Sequence, residues 1–240
     1  KKNCAAVIIT SDKSYKNQEI KRGYSEDDEL GGYDPYSASK GAAEFAIRSY
    51  IKSYFDKKSK IKIGVARAGN VIGGGDWSDD RLLPDCVTSW STKQKAKIRN
   101  PNSTRPWQHV LEAISGYLLL AVKLKLDNRI HGEVFNFGPN LNHNYSVLSL
   151  LKEIKKIWPS ANWIIKNKNK EFKESNLLKL NCKKAKKIIN WTSILNFKEN
   201  TKMTINWYKK YYETNNINKI KKLSEYQIKE FTNLIKKRSK

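Results

Sequence analysis

The fold is decided by two short apolar stretches, AAVIIT at residues 5–10 and IKIGVAR at residues 61–67. Uninterrupted apolar runs of this length are typical of strands that are covered on both faces of a parallel sheet. Between them lies a helical repeat that predicts a helix over residues 36–54, packed through a face of small residues: Ala42, Ala43, Ala46, Ile47 and Tyr50. Strand, helix and strand in this order imply a right-handed parallel crossover, so the sequence predicts an α/β fold.

The same patterns predict further elements downstream. Helical spacing marks residues 111–124, 147–157 and 183–189, and short apolar runs mark strands at 133–137 and 163–165. After the glycine-rich loop at residues 69–76, the segment through Asn100 is mixed and shows no clear helical or strand period. From Met203 onward the chain reads as one or two Lys-rich amphipathic helices.

The composition narrows the class of protein. The chain has 240 residues, 39% of them hydrophobic, and a formal net charge of +24, which raises the question of a nucleic-acid partner. Because the Lys residues are spread over many segments, we favour a solvated surface and expect no nucleic acid as partner, with a basic nucleic-acid-binding module as the weaker alternative. No apolar run is long enough to cross a membrane, and we expect a cytoplasmic protein. The three Cys and three His show no metal-ligand spacing.

The strongest chemical signal is a tyrosine and a lysine four residues apart, Tyr36 and Lys40, at the start of the predicted helix. Four residues make one helical turn, so both side chains share a face, and the ammonium group stabilises a phenolate. Such a pair suits an enzyme that takes a hydroxyl proton during hydride transfer. Polar residues also follow both strands, SDK at 11–13 and RAGN at 67–70. Ligands of open parallel sheets bind at this edge.

These motifs carry a family resemblance. The order TSDK at 10–13, GGYDPYSASKG at 31–41 and RAGNVIGGGDW at 67–77 resembles the extended short-chain dehydrogenases. The segments NP at 100–101, RPWQHV at 105–110 and FNFGP at 135–139 resemble the CDP-glucose branch of the nucleotide-sugar 4,6-dehydratases. The resemblance implies a partial Rossmann-type doubly wound parallel sheet with a smaller mixed α/β substrate-binding domain.

Two features depart from the family pattern. The Gly-x-x-Gly-x-x-Gly loop that holds the pyrophosphate of NAD is not in the sequence, so we expect the N-terminal half of the Rossmann domain to lie outside this chain. We therefore expect the chain alone to be inactive. The second departure is Lys13, where the dTDP-glucose dehydratases have Glu. We assign residues 1–68 and 106–138 to the Rossmann domain, 69–105 and 139–205 to the nucleotide-sugar-binding domain, and 206–240 to a helical tail.

The resemblance also implies a reaction, the NAD-dependent conversion of CDP-glucose to CDP-4-keto-6-deoxyglucose and water. Tyr36 would be the base at the carbon-4 hydroxyl, Asp12 the acid at the departing hydroxyl and Lys13 the base at carbon 5. An adjacent Asp and Lys favour the charged forms of both, so their individual roles stay open. The candidate catalytic residues are Ser11, Asp12, Lys13, Tyr36 and Lys40. The candidate cofactor contacts are Tyr36, Lys40, Arg67 and Asn70. The candidate substrate contacts are Ser11, Asn70, Arg99, Arg105, Trp107 and His109.

Several alternatives stay open. The chain could belong to another UDP- or dTDP-sugar 4,6-dehydratase, to a 4-epimerase, or to a non-catalytic remnant that binds a nucleotide sugar. Arg67 could instead hold loops together, Trp77 and Trp107 could wall the pocket or pack in a core, and the glycines at 73–75 could approach substrate or form a turn. By resemblance we expect a homodimer formed through the 36–54 helix, and a product that feeds surface polysaccharide such as O-antigen.

Overall fold

The computed structural model describes residues 3–56, 58–166, 177–214 and 216–238. The predicted domain range 139–205 includes residues 167–176, which lie outside the described residues, as do residues 215, 239 and 240 of the predicted tail. In chain order the strands and helices are β1 (Cys4–Ser11), α1 (Pro35–Tyr54), β2 (Ile61–Ala68), β3 (Val71–Ile72), α2 (Leu82–Ser91), β4 (Ala96–Ile98), β5 (Thr104–Arg105), β6 (Gln108–His109), α3 (Val110–Leu126), β7 (Val134–Phe137), β8 (Tyr145–Ser146), α4 (Val147–Ile157), β9 (Trp163–Ile165), α5 (Phe197–Thr214) and α6 (Ile217–Arg238).

The central sheet is parallel and has the order β1-β2-β7. Gly64 of β2 lies against Leu120 and Leu124 of α3, whereas Arg67, on the opposite face of the same strand, reaches α1. Because side chains alternate along a strand, α1 and α3 cover opposite faces of the sheet. The α/β class and the parallel strand-helix-strand unit are therefore confirmed, and the elements form part of a doubly wound Rossmann-type sheet.

The packed face of α1 differs from the prediction. Its buried residues are Ser37, Gly41, Glu44 and Ile51, whereas Ala42, Ala43, Ala46 and Tyr50 are exposed. Gly41 lies so close to Gly31 that a Cβ atom at Gly41 would come within 3.1 Å of the Gly31 backbone. A close backbone approach and a buried charge, rather than the alanine stripe, therefore attach this helix to the rest of the molecule.

A second apolar cluster lies outside the central sheet. It joins α2, β4, α4 and α5 through side chains that include Val87, Ile98, Leu150, Ile205 and Tyr208. Strands β4 and β9 pair in parallel, β5 and β8 pair antiparallel, and β3 pairs with β6. Helix α5 runs without a break through the boundary that we set between residues 205 and 206, and the division into domains stays a prediction.

Most predicted elements are confirmed with small shifts of their ends. Helix α3 extends the predicted 111–124 segment slightly at both ends, α4 matches 147–157, and residues 185–189 form a π-helical turn. Helix α2 falls inside the segment that showed no clear period. Across the described residues, no helix is both long and apolar enough to cross a membrane.

Candidate active site

A cleft of about 1830 Å³ opens where the carboxyl ends of β1 and β2 meet the first turn of α1. Its far side is formed by the segment from β4 to β5. Nine of the eleven site residues proposed from the sequence line it: Ser11, Asp12, Lys13, Tyr36, Lys40, Asn70, Arg99, Arg105 and Trp107. The location agrees with the rule for ligand sites in open parallel sheets.

The Ser-Asp-Lys turn, residues 11–13, forms the floor of the cleft. Strand β1 ends at Ser11, whose side chain caps a short 3-10 turn by accepting a hydrogen bond from Lys13 N at 3.2 Å. Ser11 Oγ also donates to Asp12 Oδ1 at 3.0 Å. A Cβ atom at Gly69 would lie 3.2 Å from Asp12 Oδ2, so a glycine there allows the end of β2 to pack closely against the carboxyl group. These contacts fix the orientation of Asp12.

Asp12 is only 4% exposed. Burial raises the pKa of its carboxyl group above the ordinary value of 3.8, because charge is poorly solvated there, while Lys13, the Ser11 hydrogen bond and Arg105 partly oppose the shift. The cleft therefore contains a carboxyl group that holds its proton more strongly than a free aspartic acid. That property fits the role of an acid that donates a proton to a departing hydroxyl.

The Tyr-Lys pair, Tyr36 and Lys40, stands on the first turns of α1. The helix begins at Pro35, and Asp34 caps it by accepting a hydrogen bond from Ser37 N at 2.9 Å. Tyr36 is 56% exposed toward the cleft, and Lys40 Nζ lies 5.5 Å from the centre of its ring. The predicted juxtaposition of the phenol and the ammonium group is confirmed in its geometry.

Two arginines give the far side of the cleft its positive charge. Arg105 Nη1 donates to Thr104 O at 2.9 Å. Arg99 Nη2 lies 3.7 Å from Asp80 Oδ1 in a pair that is exposed on both sides, and exposed pairs are weak. A diphosphate entering the cleft would therefore compete readily for Arg99. Trp107 lines the same side while its Nε1 donates to Tyr145 O at 3.1 Å.

Two proposed contacts lie outside the described lining of the cleft. Arg67 is fully buried and forms an ion pair with Glu44, which favours the alternative in which Arg67 holds the structure together. His109 is also buried; its Nδ1 accepts a hydrogen bond from Leu111 N at 3.3 Å at the start of α3, and burial lowers its pKa to about 4. In this structure His109 caps a helix behind the wall of the cleft, and its contact with a substrate stays a prediction.

One wall of the cleft was not predicted. Tyr208 of α5 lines it and donates a hydrogen bond to Asp76 O at 2.8 Å, although 132 residues separate the two in sequence. Gly74, two residues before Asp76, packs against the Trp207 ring so closely that a Cβ atom on Gly74 would overlap the ring. Trp77 packs against Tyr208 and two neighbouring tyrosines of α5. No local signal in the sequence connects the glycine loop with α5.

Acid-base groups of different elements thus converge at one edge of a parallel sheet, which defines a Rossmann-type α/β protein with a polar reaction cleft. Among the described residues, no group of three or more His, Cys, Asp or Glu side chains could hold a metal ion. A family model described as GDP-mannose 4,6 dehydratase matches residues 1–204, and the chain belongs to this family.

Individual relatives refine the comparison. The chain is 41% identical over 210 residues to the CDP-glucose 4,6-dehydratase of Salmonella typhimurium, an alignment that covers 85% of this chain and 58% of that protein. It is 24% identical to the human dTDP-D-glucose 4,6-dehydratase, covering 85% of this chain and 56% of that protein. The chain therefore spans less than two thirds of the length of these relatives.

Solved structures show the same fold. The dTDP-glucose 4,6-dehydratase of Bacillus anthracis, crystallised with NAD, superposes with a TM-score of 0.71 at 22% identity, covering 87% of this chain and 62% of that one. The UDP-glucuronic acid 4-epimerase of Bacillus cereus, crystallised with its substrate and NAD, gives a TM-score of 0.73 at 19% identity with the same coverage.

Proposed function

We propose that this chain carries the acid-base and substrate-binding residues of a hydro-lyase that converts CDP-glucose to CDP-4-keto-6-deoxyglucose and water. The observation that carries the proposal is the meeting of the Ser-Asp-Lys turn and the Tyr-Lys pair in one cleft. The 41% identity to a CDP-glucose 4,6-dehydratase supports the choice of reaction and of nucleotide.

The first step needs a base at the carbon-4 hydroxyl of the sugar. Tyr36 faces the cleft from the helix start, with Lys40 above its ring, and its phenolic oxygen accepts this proton. When bound, NAD would accept the hydride from carbon 4 and return it to carbon 6. The sugar becomes a ketone at carbon 4, which makes the proton on carbon 5 acidic.

The second step needs an acid and a base on the side of β1. Asp12, with its raised pKa, gives a proton to the hydroxyl that leaves carbon 6 as water. The free amine of Lys13, which lines the same cleft, takes the proton from carbon 5. Ser11, bonded to Asp12, orients the carboxyl group. Once the hydride reaches carbon 6, a proton returns to carbon 5, so the sugar has lost one water molecule and NAD is regenerated.

The proposed cofactor contacts that line the cleft suit one end of NAD. Tyr36, Lys40 and Asn70 place a hydroxyl, an ammonium and an amide beside the floor of the cleft, donors that suit a ribose next to the nicotinamide. The sequence contains no Gly-x-x-Gly-x-x-Gly loop for the pyrophosphate. These residues would therefore hold the reacting end of the cofactor.

The nucleotide would lie on the far side of the cleft. Guanidinium groups bind diphosphates with two parallel hydrogen bonds, and Arg99 and Arg105 line the cleft together with Trp107 and Tyr208. This arrangement supports a nucleoside diphosphate sugar as the substrate class.

A turnover assay tests the proposal. The product of the complete reading frame that encodes this chain is incubated with NAD and with CDP-, dTDP- or UDP-glucose, and the ultraviolet absorbance of the 4-keto product is followed. We expect rapid turnover of CDP-glucose alone. Equal turnover of another nucleotide would contradict the assignment of the base. Interconversion at carbon 4 without loss of water would indicate a 4-epimerase, and binding without any reaction would indicate a remnant.

We also propose that the complete protein is a cytoplasmic homodimer that supplies a precursor of surface polysaccharide such as O-antigen. The exposed face of α1 supports the dimer, since it carries Phe45, Tyr50 and Tyr54 beside small alanines. Light scattering on the complete protein should give twice the monomer mass. Phe45→Glu should shift the mass toward the monomer, whereas Tyr226→Phe on α6 should leave it unchanged.

A further inference from the structure

A buried ion pair attaches α1 to the sheet behind the reaction cleft. Glu44 is 2% exposed and Arg67 is fully buried. Arg67 Nε donates to Glu44 Oε1 at 2.8 Å, and Arg67 Nη2 donates to Glu44 Oε2 at 3.0 Å. Two parallel bonds between planar groups fix orientation as well as distance. The pair therefore restrains both the height and the rotation of α1 over β2.

The same carboxylate reaches β1. Thr10 and Arg67 are paired across the parallel strands, and the Thr10 hydroxyl donates to Glu44 Oε1. Thr10 directly precedes the Ser-Asp-Lys turn, so Glu44 bonds to the strand that ends in Asp12. One side chain of the helix thus holds both strands whose ends form the floor of the cleft.

Arg67 is itself held in place from the side away from α1. Its Nη1 donates to Glu26 O at 3.2 Å, and its guanidinium lies 4.6 Å from the centre of the Tyr15 ring. Tyr15 in turn donates to Asn136 Oδ1 of β7 at 2.8 Å. The position of Glu44 is therefore set by a network that spans all three strands of the sheet.

The spacing on α1 connects this network to the chemistry. Tyr36, Lys40 and Glu44 follow one another at intervals of four residues and share one broad face of the helix. Within this chain the face of α1 opposite the sheet is largely exposed, so contacts on the sheet side, at Glu44 and at Gly41 against Gly31, set the orientation of the helix. A small rotation of α1 would move the Tyr36 hydroxyl relative to Asp12, and misplacement by about 1 Å can cost about 100-fold in rate.

We propose that Glu44, held by Arg67, is a positioning residue that sets the Tyr-Lys pair at its working distance from the Ser-Asp-Lys turn. The proposal rests on the dehydratase function proposed above. Glu44 lies outside the described lining of the cleft, so it would act on the distance between the Tyr-Lys pair and the Ser-Asp-Lys turn and would not take part in proton transfer.

Kinetics of variants of the complete protein test this role. Glu44→Gln keeps the size of the side chain but loses one acceptor for Arg67, and we expect kcat to fall at least tenfold while KM for CDP-glucose changes less than twofold. Glu44→Asp keeps the charge but is too short to reach both Arg67 and Thr10, and we expect kcat to fall about threefold. Asp127→Asn changes a partly exposed carboxylate that is paired with Arg129 and lies outside the described lining of the cleft, and this control should keep the parental kcat.

A double variant separates positioning from stability. Replacing both partners, Glu44→Met with Arg67→Met, removes both charges of the buried pair, and such replacements often preserve stability. We expect a thermal midpoint close to that of the parent but a kcat still reduced at least tenfold. If the folded double variant and Glu44→Asp both kept the parental kcat, the positioning role would be overturned and the proposed function would stand. If the parent turns over no nucleotide sugar, the proposed function fails and this inference fails with it.

Discussion

Asp12 and Tyr36 face the same cleft from opposite environments. Asp12 ends β1 and is 4% exposed, whereas Tyr36 begins α1 and is 56% exposed. Burial raises the pKa of Asp12, so its acidity is set by the packing of this chain. Tyr36 instead has a cation one helical turn away, with Lys40 Nζ 5.5 Å from the centre of its ring.

The difference shows that the two steps of the proposed reaction depend on different physical causes. The acid for elimination needs a dry site, which Gly69 and the 3-10 turn after β1 create. The base for oxidation needs correct placement, which depends on how α1 is attached to the sheet. Substitutions at the two places should therefore fail in different ways.

The largest effect is expected at the exposed member. Tyr36→Phe removes the phenolic oxygen that we propose accepts the substrate proton, and kcat of the complete protein should fall about 1000-fold, within the range of general acid-base catalysis. Formation of the 4-keto product from CDP-glucose is the measurement. Tyr226→Phe, an exposed tyrosine of α6, is the matched control and should keep parental kcat. A loss below tenfold would show that another group takes this proton.

The next largest effect is expected at the buried member. Asp12→Asn retains the shape and can still accept the Ser11 hydrogen bond, but it has no proton to give, so turnover should fall about 100-fold. Because Tyr36 is intact, the oxidation half-reaction should continue, and absorbance of NADH should accumulate. If NADH formation and product formation fell together, the assignment of Asp12 to the elimination step and of Tyr36 to the oxidation step would be wrong.

A smaller effect should come from the cation beside Asp12. Arg105 partly offsets the rise in the pKa of Asp12, so Arg105→Gln should raise that pKa further. The limb of the pH-rate profile that reports elimination should move to higher pH. KM for CDP-glucose should rise about tenfold because a charged contact to the diphosphate is lost. An unchanged KM would remove Arg105 from the proposed diphosphate site.

Much of the fold could be predicted because its signals are local. The runs that became β1 and β2 and the helical spacing of α3 and α4 are visible within a few residues. The buried face of α1 could not be predicted in this way. Its alanines form a regular stripe, but Arg67, distant in sequence, requires a buried carboxylate, and therefore Glu44 lies inside and the alanines outside.

In the candidate site, too, the residues with local sequence signals could be predicted, and those that depend on distant contacts could not. The Ser-Asp-Lys turn and the Tyr-Lys pair could be predicted, since residues at the carboxyl ends of parallel strands meet in space. Arg67 and His109 carry suitable chemistry, and nothing in the sequence reveals that both are buried. The wall formed by Tyr208 could not be found either, because the contact to Asp76 depends on tertiary packing between distant segments.

The smallest expected effects are on the free energy of unfolding, and they distinguish a carboxyl group that is only buried from one that is buried in the cleft. Glu112 at the start of α3 is also buried, and burial raises its pKa from 4.5 to about 7, although Ser193 Oγ and the backbone N–H groups of Ile194 and Leu195 donate to it. The folded state therefore binds more protons than the unfolded state between these pH values, and the free energy of unfolding falls as pH rises through about 7. Asp12 contributes in the same direction, with a loss that begins above 3.8.

Thermal melts at a series of pH values, combined with activity assays, compare Glu112, which lies outside the described lining of the cleft, with Asp12, which lines it. Glu112→Gln should flatten the decline of the midpoint between pH 4.5 and about 7 while changing kcat less than twofold, because Glu112 lies outside the described lining of the cleft. Asp12→Asn should raise the midpoint at neutral pH by a few degrees, about 2–4 °C for each kcal/mol, while abolishing most turnover. If Asp12→Asn left the midpoint unchanged or lowered it, burial would not be the cause of its raised pKa. If both variants lost activity equally, burial of a carboxyl group, rather than its place in the cleft, would decide function.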